Sequence, residues 1–69
     1  MRKRLLVSGH NIEVVLVPLA EGGFLVLAPG LPEVVSEGET EEQAMAMAED
    51  AVRLAIRCRQ DRGEPISTG

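Results

Sequence analysis

Among the hydroxyl and thiol side chains, Ser8, Ser36, Thr40 and Cys58 are the candidates for nucleophilic chemistry. Each would need a base in hydrogen-bond reach, and His10 is the only histidine. His10 falls in a stretch, Ser8-Gly9-His10-Asn11, that reads as a solvated turn, and Cys58 falls on an apolar helical stripe where a small core residue is expected. A zinc cage cannot be assembled from one cysteine and one histidine, nor an internal disulfide from one cysteine. Carboxylates are more plentiful, eleven in all. Metal-dependent nucleases gather carboxylates from strands and a helix, but here the strand acids are Glu13, Glu33 and Glu37 and the aspartates are only Asp50 and Asp61. The glycines of "AEGGF" come without a phosphate-loop lysine or a dinucleotide fingerprint. Single-strand nucleic-acid binding by stacking wants aromatic platforms, and Phe24 is the only aromatic residue. The expectation is a binding protein, not an enzyme, with no metal and no cofactor.

Charge gives the first hint of what is bound. The net charge is −4, but Lys and Arg are absent between Leu5 and Val52. That stretch holds nine carboxylates: Glu13, Glu21, Glu33, Glu37, Glu39, Glu41, Glu42, Glu49 and Asp50. The cations sit at the ends, in Arg2-Lys3-Arg4 and in Arg53, Arg57, Arg59 and Arg62. Such a surface disfavours nucleic acid and favours a basic partner. A single cysteine suits a reducing, cytoplasmic setting. The basic start is followed by too short an apolar run for a signal peptide, and no apolar run approaches a membrane span.

The elements that must carry these residues follow from pattern. Ile12 to Pro18 is β-branched and aliphatic, hence a strand. Leu19 to Gly23 makes a hairpin connection whose glycines can take positive φ, and Phe24 to Pro29 returns. Pro29 and Pro32 rule out a helix and predict an extended link into a short third strand, Glu33 to Glu37. Residues 1–11 form an N-terminal arm or an extra strand, Leu5 to Val7, turning at Ser8 to Asn11. Thr40 to Gln43 is a capping box, the Thr40 hydroxyl taking the Gln43 amide and the Gln43 side chain returning to the Thr40 amide. The helix that follows carries an apolar stripe of Ala44, Met47, Ala48, Ala51, Leu54, Ala55 and Cys58, widened by Met45, Val52 and Ile56, and stops at Gly63 and Pro65. The fold class is α+β: a three-stranded antiparallel sheet, four-stranded if the arm joins it, packed on one helix.

Both central strands are apolar on both faces, where a sheet with one wet face should alternate. One helix covers one face. A chain of 69 residues is also a marginal monomer, so a homo-oligomer is expected.

Four ordered motifs add a likeness: Glu21-Gly22-Gly23-Phe24, Pro29-Gly30-Leu31-Pro32, Gly38-Glu39-Thr40 and Gly63-Glu64-Pro65. Together they resemble the HicB-like antitoxin family, with residues 12–69 as the domain. Departures fall at Gly30, Glu33 and Gln43. The resemblance marks Gly22, Gly23, Phe24, Pro29, Leu31, Pro32, Gly38, Thr40, Gly63 and Pro65 as the structural positions of the motif. It implies a partial ribonuclease-H-like fold, β-β-β-α, without that fold's catalytic acids. It further implies a protein that sequesters a small basic ribonuclease toxin of the HicA type, and a short, stand-alone form lacking the DNA-binding segment that full antitoxins of this type often carry. Glu33, Glu37, Glu39, Glu41 and Glu42 are the acids expected to meet that toxin. Two other readings are a homo-oligomeric regulatory or structural protein without a toxin, and an RNA-binding remnant of a ribonuclease-H-like fold.

Overall fold

The computed structural model describes residues 1–66, so the last three residues of the expected domain lie outside it. Four strands, β1 (Arg2–Val7), β2 (His10–Pro18), β3 (Phe24–Leu27) and β4 (Val35–Gly38), are followed by one helix, α1 (Glu41–Arg62). The strands form one antiparallel sheet in the order β1-β2-β3-β4. The arm is therefore an edge strand, and it begins earlier than Leu5. Its turn is tighter than expected too. Ser8 and Gly9 alone make it, both at positive φ (50° and 80°), the pattern of a two-residue hairpin whose twist matches its strands. His10 and Asn11 already belong to β2.

The inner face of the sheet holds Val7, Ile12, Val14, Leu16, Val26 and Ala28, all buried. Against it α1 lays Ala44, Ala48, Val52, Ala55 and Ile56. Met47, Leu54 and Cys58, expected in this stripe, are exposed instead. The reason lies at Gly38. A Cβ there would stand 2.5 Å from the Ala44 amide nitrogen, so only glycine lets the end of β4 touch the first turn of α1. That contact fixes the rotational phase of the helix. The alanines turn to the sheet, and the flank with Met47, Leu54 and Cys58 turns away.

The link between β3 and β4 is not extended. Leu31 N–H donates to the Ala28 carbonyl (3.0 Å) and Val34 N–H to the Leu31 carbonyl (2.8 Å), giving two consecutive turns. Pro29 and Pro32 each occupy the second position of a turn, where a φ fixed near −65° is wanted. The turns drive Leu31 and Val34 into the core. Glu33 and Val34 belong to the second turn, and the strand expected over Glu33 to Glu37 starts only at Val35.

Both helix ends are capped as their residues suggest, with one difference. Thr40 Oγ1 accepts from Gln43 N–H (3.0 Å), but the Gln43 side chain takes the amide of Glu39 (2.7 Å) and not that of Thr40. At the other end Gly63 is left-handed (φ 71°). Its N–H reaches the Gln60 carbonyl and the Glu64 N–H reaches Arg59, a Schellman closure.

Two stability changes follow. Leu31→Ala should cost about 2–5 kcal/mol, a large part of the roughly 3–10 kcal/mol expected of a chain this size. Thr40→Ala should cost about 1 kcal/mol. Urea titrations followed by circular dichroism measure both.

Candidate acidic interface

Five of the nine carboxylates between Leu5 and Val52 are taken up by the chain's own cations. Glu13 receives Arg2 and Arg4, and Glu41 receives Lys3. Glu49 and Asp50 both receive Arg53, at 2.7 and 3.2 Å. Glu33 receives Arg59 in a bidentate pair, 2.8 Å on each arm. Among the described residues, the four left without an ion-pair partner are Glu21, Glu37, Glu39 and Glu42.

Three of those four line one cleft. Leu19, Glu21, Gly22 and Gly23 from the β2–β3 connection, Glu37 to Glu39 at the end of β4, and Gln43 and Met47 of α1 enclose about 430 Å³. The wall geometry again rests on glycine. Gly22 and Gly23 take φ 102° and 87°, and a Cβ at Gly23 would come within 2.8 Å of the Gly38 carbonyl. Hairpin and strand end are thereby held together, setting Glu21 beside Glu37 and Glu39. Glu42, in the first turn of α1, extends the acidic surface where the helix dipole favours negative charge. An open acidic cleft with apolar atoms from Leu19 and Met47 in its wall suits a long basic side chain, whose stem packs while its head is neutralised.

Of the acids expected from sequence, Glu37 and Glu39 lie in this cleft and Glu42 lies nearby. Glu41 is engaged by Lys3. Glu33 sits in the turn preceding β4, where Arg59 holds it. Glu21 was not among the expected acids, although its place in the Glu-Gly-Gly turn signals exposure at a hairpin tip. Among the described residues no group of three or more His, Cys, Asp or Glu could hold a metal ion.

Arg59 does more than neutralise Glu33. Its Nη1 also donates to the Pro65 carbonyl (3.1 Å), so one largely covered side chain ties together the turn before β4, the end of α1 and the tail whose Ile66 packs on the core. The hydrogen bonds from Arg59 hold the Glu33 carboxyl down to about 2 from its ordinary 4.5. A bond from its own backbone amide and the charges of Arg59 and Arg62 act in the same direction.

No family model matches the chain. It is 35% identical over 63 residues to Antitoxin HicB 1 of Photorhabdus laumondii, an alignment covering 91% of this chain and 41% of that protein. It is 43% identical over 43 residues to Antitoxin HicB of Escherichia coli K12, covering 62% of this chain and 31% of that protein. The chain is HicB-like. It spans less than half the length of these curated relatives. No helix among the described residues of this HicB-like chain is long and apolar enough to cross a membrane.

The Glu33 bridge has a testable pH signature. A carboxyl whose pKa is depressed on folding stabilises the fold fully above its unfolded pKa, and that contribution fades as pH falls from about 4.5 toward 2. Glu33→Gln should lower stability at pH 7 and remove part of the acid-dependent loss across that window. Urea midpoints measured from pH 7 down to pH 2 give the comparison.

Proposed function

We propose that this chain is a non-enzymatic antitoxin-type binding module that sequesters a small basic ribonuclease of the HicA type. The observation that carries the reading is the charge left over after internal pairing: among the described residues Glu21, Glu37, Glu39 and Glu42 have no ion-pair partner, three of them lining a single cleft. A ribonuclease binds RNA through a cationic surface, and carboxylates arranged on a rigid scaffold can occupy that surface in place of phosphates. The curated relatives are named antitoxins, which supports the same role. Glu33 and Glu41 join as secondary contributors, since each already has an internal cation. A partner of this kind acts on messenger RNA, so the proposed setting is the cytoplasm.

The chain, tagged and exposed to lysate of its source cells, should retain a small, strongly basic protein in fixed ratio and release it in salt. Reversing charge at Glu21, Glu39 and Glu42 to Lys should weaken that complex by about tenfold or more and flatten its salt dependence. Unchanged affinity and salt dependence in the triple variant would sink the reading.

A second proposal rests on a separate observation. Val15, Val17, Leu25, Leu27 and Val35 lie on the sheet face that α1 does not cover, and Val17, Leu27 and Val35 are 38%, 37% and 59% exposed. An apolar outer face of this kind supports self-association of the chain. Light scattering at micromolar concentration should return twice the 7.4 kDa chain mass; a monomer would refute it.

A further inference from the structure

We infer that two copies associate through these outer sheet faces, with the strand order of one reversed over the other. The inference rests on the self-association reading and adds to it a face, a symmetry and a register.

Strand pairing arranges the face in rows. One row runs Arg2, Val15, Leu27, Val35 across β1 to β4, and the next runs Val17, Leu25, Glu37. A third holds Arg4 and Glu13. The centre is apolar and the charges are segregated to opposite edges. At the β1 edge two guanidiniums, Arg2 and Arg4, share the single carboxylate of Glu13, leaving one positive charge in excess. At the β4 edge Glu37 has no ion-pair partner among the described residues.

A closed two-copy interface must be self-complementary, and with the strands of the two sheets aligned two face-to-face arrangements bring these surfaces together. If the two-fold axis runs across the strands, each edge lies over its own copy, cation on cation and carboxylate on carboxylate. If the axis runs along the strands, β1 of one copy lies over β4 of the other. Arg2 then stands over Val35 of the second copy. Glu37 of that copy is two residues further along its strand, roughly 7 Å along the sheet and so about 12 Å from the Arg2 backbone once the roughly 10 Å sheet spacing is included, a gap the arginine and glutamate side chains close together. Val15 meets Leu27 of the second copy, and the apolar rows close on each other at about the 10 Å spacing of stacked sheets. Charge selects the second arrangement.

The test uses the full chain in a Cys58→Ser background, which removes the one native thiol. Arg2→Cys and Val35→Cys proteins are treated with a short bifunctional thiol cross-linker, separately and after mixing. Reversed stacking predicts a cross-linked dimer in the mixture and little in either protein alone. A companion variant, Leu27→Glu, alters a side chain that already faces outward, and circular dichroism confirms its fold. It should convert the dimer to a monomer. A monomeric parent chain would overturn the self-association reading itself, including the case in which only a basic partner covers the face. A dimeric parent that cross-links like with like, or that stays dimeric as Leu27→Glu, would leave self-association standing and overturn the reversed stacking. Persistence of the Leu27→Glu dimer would direct attention to the exposed Met47, Leu54 and Cys58 flank of α1.

Discussion

The contact between Gly38 and Ala44 is the constraint on which the rest of this small structure depends. A strand that ends two residues before an N-cap must turn sharply, and the absent Cβ lets the backbone of β4 approach the first turn of α1. Once that distance is set, the helix can present only its small residues there, and Val52, Ala55 and Ile56 follow along the sheet. The same approach brings Gly38 beside Gly23, so the β2–β3 hairpin, β4 and α1 share one corner. The acidic cleft is that corner seen from outside. Its carboxylates are carried by backbone that cannot relax without loosening the core.

Electrostatics divides into two kinds of work. The internal pairs link pieces distant in sequence: Lys3 of the edge strand to Glu41 of the helix, and Arg59 to both Glu33 and the Pro65 carbonyl. Exposed pairs contribute little singly, yet Arg59 has three acceptors in a fixed fork and only 18% side-chain exposure, so it also closes the tail over the core. What these pairs leave behind is uneven. Cations and carboxylates cancel over much of the surface, and the uncancelled carboxylates stay at the hairpin end. A net charge read from composition therefore understates how local the acidic field is.

Much of the fold was legible because its signals are local. The β-branched run of Ile12 to Pro18, the Gly22-Gly23 connection, the Thr40 cap and the Gly63 stop each determine their own backbone. What the sequence did not disclose depended on contacts between elements. Pro29 and Pro32 announce a constrained link but not whether it extends or turns, because φ near −65° serves both; the burial of Leu31 and Val34 decides for turns. A half-apolar helix likewise has several ways to face a sheet, and Met47 and Leu54 promised more burial than Ala44. The phase was chosen by Gly38, far enough away that periodicity could not register it. The candidate site divides in the same manner. Sequence located an acidic block, and pairing with distant arginines sorted it, taking out Glu33 while bringing in Glu21.

The two exposed surfaces of this chain place opposite demands on the sheet. The inner face accepts a helix of the same chain, so its residues need only fit small alanines. The outer face is built from the same strands, and every second residue on β2 and β3 must serve it. Polar residues at Val15, Val17, Leu25 and Leu27 would satisfy solvent without disturbing the inner face, since strand alternation separates the two. Their apolar character is thus not a by-product of core packing. It is a separate specification carried on the same strands, while the acidic corner occupies the turns and the helix start. Sheet face and corner meet at Glu37, at the end of β4, which lines the cleft and stands in the strand row of Val17 and Leu25.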